Sequence, residues 1–92
     1  GALKRLDAAR GEIKSMRTHP DFLRRGLAAA LLEVIIDHAR ATGLSVLSLE
    51  TGSGAAFESA LALYRRRGFA NGAAFADYEL SDFNQCLHLQ VA

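Results

Sequence analysis

The chain is short of the devices that staple or anchor small proteins. It has one cysteine, Cys86, so no internal disulfide can form and no multi-thiolate zinc site fits within one chain. Its only proline is Pro20, which leaves glycine as the main punctuation along 92 residues. No run of 18 apolar residues exists, which excludes a membrane-spanning helix. No secretory leader pattern opens the chain, and we expect a cytoplasmic protein. Eleven Lys and Arg face ten Asp and Glu, a net charge of +1 that gives no general attraction for nucleic acid or a membrane surface. Repeats and low-complexity tracts are missing too. What remains is globular in composition, half hydrophobic and 23% charged, and its length predicts one domain over residues 1–92.

Hydrophobic spacing divides this domain into elements. Ala2 to Leu6 reads as a short strand and Ala8 to Gly11 as a turn. Glu12 to Thr18 alternates imperfectly, because Ile13 and Met16 stand three apart, and reads as a bulged strand that ends before His19-Pro20-Asp21. From Arg25 to Thr42 the period is helical. Leu27, Leu31 and Ile35 share a face, Ala28, Leu32, Ile36 and Ala39 lie beside it, and Glu33, Asp37 and Arg40 take the other side. Gly43 ends this helix. Leu44 to Leu49 is a short apolar run, as in a parallel strand buried on both faces. Thr51 to Gly54 reads as a loop and Ala55 to Arg67 as a second helix, stopped by Gly68. Phe69 onward is extended, Asn71-Gly72 marks a turn, and Gln85 to Val91 alternates as a closing strand. The order is strand, strand, helix, strand, helix, strand, strand: an α/β domain with a mixed sheet.

The junction from His19 to Ala30 carries the chemistry. A strand ends, the chain turns, and R-R-G-L-A-A-A-L-L opens a helix whose first turn, with Gly26 and Ala28, is nearly bare backbone. Unsatisfied N–H groups there attract an anion, and Arg24 and Arg25 add positive charge, which is the physics of a pyrophosphate site. It is neither a Walker loop nor the G-x-G-x-x-G dinucleotide fingerprint. The plain alternative is a small-residue helix start that packs closely, with solvated arginines.

H-P-D-F-L-R-R-G-L-A-A-A-L-L resembles motif A of the GNAT family of N-acetyltransferases, where Arg/Gln-x-x-Gly-x-Gly/Ala wraps the pyrophosphate of acetyl-CoA. Ala60 to Phe69, A-L-A-L-Y-R-R-R-G-F, resembles motif B, A-x-x-L-Y-x-x-x-G-F. The resemblance covers Glu12 to Phe69 well and the C-terminal strands loosely. Leu23 stands where the family usually has Arg or Gln, and Phe57 where motif B often begins with Asn. The family fold carries further strands and helices before the segment that begins this chain. The chain therefore resembles the C-terminal, cofactor-binding half: a fragment, a minimal member, or a protein completed by a partner.

The resemblance implies an acetyl-CoA cosubstrate and direct transfer to an amine, small molecule or peptide. The cofactor would slot between splayed parallel strands, held by Met16 and Thr18 on the strand before motif A and by Arg24, Arg25, Gly26, Leu27, Ala28 and Arg65. Glu12 is the candidate base and Glu50 the second choice. Tyr64 is the candidate acid that protonates the leaving thiolate. Cys86 reads as a buried thiol rather than a nucleophile. His19, His38 and His88 lack metal-ligand spacing, and no metal is expected. A homodimer, or pairing with a second chain, would cover the open edge of the first strand. The reading of another class is a non-catalytic acyl-CoA-binding or dimerisation module.

Overall fold

Five strands and two helices follow one another as the sequence predicts, in a computed structural model that describes residues 2–14 and 25–92. The strands are β1 (Ala2–Arg5), β2 (Arg10–Lys14), β3 (Val46–Gly52), β4 (Ala70–Asn71) and β5 (Asn84–Gln90). The helices are α1 (Arg25–Ala41) and α2 (Glu58–Arg67). The sheet order is β1-β2-β3-β5-β4, with β1 at one edge. Only β2 and β3 pair in parallel, and every other neighbour is antiparallel, so the sheet is mixed.

Both helices sit on one face, for a topological reason. β2 crosses through α1 to parallel β3, and β3 crosses through α2 to β4, which runs parallel to it on the far side of β5. Both crossovers step the same way across the sheet, so right-handed connections put both helices on the same side. The packing agrees. Ala28, Leu32, Ile35, Ile36 and Ala39 of α1 and Ala60, Leu61 and Tyr64 of α2 share one core with Ile13, Leu47, Leu49 and Leu87 of the sheet. An Arg67–Glu33 ion pair ties the end of α2 to the middle of α1. Among the described residues, the opposite face is covered by the segment between β4 and β5, through Phe75 and Tyr78.

Several boundaries differ from the sequence reading. β3 begins two residues later than Leu44, because Leu44 closes the end of α1 and Ser45 bonds to the β1–β2 turn. The Leu44 N–H donates to Ala39 O and that of Ser45 to Ala9 O, and the Leu44 side chain is buried. β3 also runs on to Gly52 where a loop was expected, since Asn84 and Gln85 of β5 pair with Gly52 and Thr51. The second helix is split: Ala55–Phe57 is a turn of 3₁₀ helix and the α-helix starts at Glu58. The first turn is shorter than read. The Asp7 carboxylate accepts from the N–H groups of Ala9 and Arg10, both at 2.8 Å, and Arg10 and Gly11 already belong to β2. The bulge expected between Ile13 and Met16 lies outside the described residues. Gly68, with φ 112°, ends α2 as expected. No helix among the described residues is long and apolar enough to cross a membrane.

Candidate active site

The site begins where the parallel pairing of two strands ends. β2 and β3 pair at Arg10–Val46, Gly11–Leu47 and Glu12–Ser48. Continuing that register would set Ile13 against Leu49 and Lys14 against Glu50, yet those pairs are not made. Both strands run on: β2 keeps its ladder with β1 to Lys14, and β3 keeps its ladder with β5 to Gly52. Among the described residues the parallel register therefore ends at Glu12 and Ser48, toward the carboxyl ends where ligands gather in parallel α/β sheets. The α1 helix follows β2 in the chain and runs back against it, so its N-terminus lies at that same end of the sheet.

Glu12 stands at the end of that register. It is 2% exposed, which sets it apart from a solvated strand carboxylate. Burying a carboxylate is costly unless its oxygens find donors. Here Oε2 accepts a hydrogen bond from the Tyr78 hydroxyl, and Lys14 Nζ lies 4.0 Å from Oε1. Glu50 is half-buried on β3, and its Oε2 accepts from Asn84 Nδ2 at 3.2 Å.

The register carries a polar row across the sheet from Glu12. Ser48 is its parallel partner, and His88 is the antiparallel partner of Ser48. The Ser48 hydroxyl and His88 Nδ1 are 2.7 Å apart, and His88 Nε2 lies 2.8 Å from the Ala73 carbonyl. A carbonyl oxygen only accepts, so Nε2 donates to Ala73, and in the neutral ring Nδ1 accepts a hydrogen bond from the Ser48 hydroxyl. His88 thereby pins the segment after β4 to the sheet. Sequence reasoning missed Ser48 and Tyr78 and took His88 only as a histidine without metal-ligand spacing. Ser48 and His88 were visible as polar breaks in L-S-V-L-S-L and C-L-H-L, but Tyr78 meets Glu12 across 66 residues and leaves no local pattern.

The residues carried over from the family motifs fall into three groups. Met16, Thr18, Leu23 and Arg24 lie outside the described residues. Arg25, Gly26 and Leu27 open α1, and Ala28 is buried against the core, so its small side chain serves helix packing and only its backbone is left for a ligand. Tyr64 and Arg65 sit on the last turns of α2. Tyr64 is buried in the helix-side core, edge-on to Phe69 with ring centroids 5.8 Å apart. Arg65 Nη2 donates to Asn71 Oδ1 and Gln85 Oε1, both at 3.0 Å, which draws the guanidinium toward the β4–β5 edge.

Cys86 is a free, buried thiol, and burial pushes its pKa up, so it stays protonated and poorly nucleophilic. Among the described residues no three His, Cys, Asp or Glu side chains converge to hold a metal.

Comparison with known proteins bears on this geometry. The sequence model of the acetyltransferase (GNAT) family matches residues 1–69. The chain is 48% identical over 91 residues to the uncharacterised N-acetyltransferase YedL of Escherichia coli (strain K12), covering 99% of this chain and 57% of that protein. A Klebsiella pneumoniae protein assigned as an acyl-CoA N-acyltransferase superposes with a TM-score of 0.84 at 27% identity, over 98% of this chain and 61% of its own. A GNAT family acetyltransferase from Elizabethkingia anophelis, solved with acetyl-CoA bound, superposes with a TM-score of 0.75 at 20% identity, over 96% and 65%. The chain thus spans little more than half of the curated relative's length.

Proposed function

The chain belongs to the GNAT family of acetyltransferases, and on that premise we propose that it serves acetyl transfer from acetyl-CoA to a primary amine by direct attack. The observation that carries this reading is the buried carboxylate of Glu12 where the β2–β3 pairing ends. In this reading a thioester arm lies between β2 and β3, where backbone N–H and C=O groups outside a ladder would be its hydrogen-bonding partners. Met16, Thr18, Arg24, Arg25, Gly26, Leu27, Ala28 and Arg65 are the residues proposed to hold the cosubstrate, with the amides of the first α1 turn facing its pyrophosphate.

In this reading Glu12 takes a proton from the substrate ammonium, directly or through one water, and frees the nitrogen lone pair. The nitrogen attacks the acetyl carbonyl, the C–S bond breaks and the thiolate leaves as a thiol with a proton from Tyr64, while the nitrogen loses its second proton to water, which restores the Tyr64 hydroxyl. Charge on the carbonyl oxygen during attack is met by backbone donors preceding the phosphate turn. The outer edge of β1, which has no strand beside it among the described residues, supports pairing with a second chain or copy, and sedimentation of a folded monomer at micromolar concentration would count against that.

The test is release of free CoA thiol from acetyl-CoA across a panel of primary amines. Glu12→Gln, which keeps shape and removes basicity, should lower kcat on the order of 10²–10⁴-fold. Gly26→Val should abolish acetyl-CoA binding by calorimetry while the protein stays folded. Tight binding with no turnover on any amine would favour the non-catalytic acyl-CoA module instead.

A further inference from the structure

We infer that Tyr78, in the segment between β4 and β5, is the positioning residue of the proposed base Glu12. This inference rests on the reading above and adds to it a residue outside both family motifs. A general base must present one oxygen to the proton it takes, and a carboxylate free to rotate does so only part of the time. Glu12 is held at one oxygen. Oε2 is the acceptor of the Tyr78 hydroxyl, and Oε1, which faces the Lys14 ammonium at 4.0 Å, is the oxygen this leaves for a substrate proton.

The holder is itself held. Tyr78 packs edge-on against Phe75 with centroids 5.1 Å apart, and Phe75 packs edge-on against His88 at 5.6 Å. His88 is anchored to β3 by Ser48 and to the β4–β5 segment by the Ala73 carbonyl. The Tyr78 N–H donates to Phe75 O at 3.0 Å, so the two aromatic residues form one turn and move together. A chain of contacts therefore runs from Ser48 through His88, Phe75 and Tyr78 back to Glu12, the register neighbour of Ser48. The loop closes on the sheet row where it began, so the orientation of the carboxylate depends on a segment about 66 residues away in the chain. It also places an aromatic wall beside the base, on the face of the sheet that the helices leave uncovered.

A kinetic double-mutant cycle in the full chain tests this, with CoA release as the readout. Tyr78→Phe keeps the ring and its stacking and removes only the donor. It should lower kcat about tenfold to a hundredfold with KM for acetyl-CoA nearly unchanged, since misplacing a reacting group by about 1 Å can cost that much. On a Glu12→Gln background the same substitution should cost less than about twofold, because a residue that acts through Glu12 has nothing left to position. Phe75→Leu leaves both hydrogen-bonding groups intact and loosens only the ring, so it gives a second, smaller loss that also vanishes on the Glu12→Gln background. A merely structural Tyr78 would lower activity equally in both backgrounds, and that outcome overturns the inference. Full kcat in Tyr78→Phe beside a large loss in Glu12→Gln would also overturn it while leaving Glu12 as the base. Full kcat in Glu12→Gln would overturn the assignment of the base itself.

Discussion

Adjacent residues of one strand, Leu47 and Ser48, belong to two different molecules in effect. Leu47 points to the helix side, where Ile13, Leu49 and Leu87 meet α1 and α2 in a continuous apolar core. Ser48 points to the other side, where it bonds His88 in a row with Glu12 and under Phe75 and Tyr78. Strand side chains alternate, so a single strand can build the core with one set of residues and a reactive surface with the other. The helix face tolerates almost no polarity. The loop face buries a carboxylate and a hydroxyl and half-buries an imidazole, because each finds a partner. Stability is concentrated on the first face and proposed chemistry on the second, and the following substitutions probe that division.

The largest contrast is between the two neighbours themselves. Leu47→Ala removes a fully buried side chain and leaves a cavity, and should cost about 2–5 kcal/mol in chemical unfolding. Ser48→Ala removes a small group and one hydrogen bond to a half-buried ring, and should cost about 1 kcal/mol. Comparable losses would mean that the polar row is as structural as the core.

Tyr64 is the residue that can break the comparison, since it packs in the helix-side core yet carries the proposed acid. Tyr64→Phe should lower kcat at least about tenfold, with acetyl-CoA affinity little changed. Full kcat with only a change in stability would make Tyr64 a core aromatic and return the helix face entirely to packing.

How much of this was legible in the sequence follows from the same division. The helix face announces itself through period: Leu32, Ile36 and Ala39 repeat at helical spacing, and all three are buried. Element order, both helix stops and the closing strand follow from that signal and from Gly43 and Gly68. Strand ends were less legible because a strand continues wherever a neighbour offers a ladder. Thr51-Gly52 looks like a loop, and β5 makes it a strand. Glu12 was visible only through its place before motif A. Its burial depends on Tyr78, and no local pattern ties residue 78 to residue 12.

A smaller effect is expected at Thr51, the polar residue that lies on the apolar side. Its Oγ1 is buried and makes no hydrogen bond among the described residues. An unpaired buried hydroxyl is a cost, so Thr51→Val, nearly the same shape, should raise stability by about 0.5–1 kcal/mol in a urea titration. A loss would show that the helix face also carries a needed polar contact.

The smallest effect belongs to neither face, at the turn between β1 and β2. Asp7 is solvent-exposed, and its carboxyl is held below the usual carboxylate range first by the backbone N–H groups of Ala9 and Arg10, with Arg10 and Arg5 adding attraction. Those bonds favour the charged form in the folded chain, so the unfolded chain binds a proton more readily. The contribution of Asp7 is therefore complete above the ordinary carboxylate range and fades as pH falls through the depressed folded value. Thermal unfolding of wild type and Asp7→Ala should differ by a small constant amount near neutral pH, and the difference should shrink in acid toward that between Asp7→Asn and Asp7→Ala. Asp7→Asn keeps an acceptor oxygen without the charge, and should fall between the two at neutral pH while losing the acid dependence. A difference that survives undiminished in acid would mean that Asp7 serves the turn through its shape alone. The β1–β2 hairpin would then be held by its ladder and by the Leu6 N–H to Arg10 carbonyl bond at 2.8 Å rather than by a charged cap.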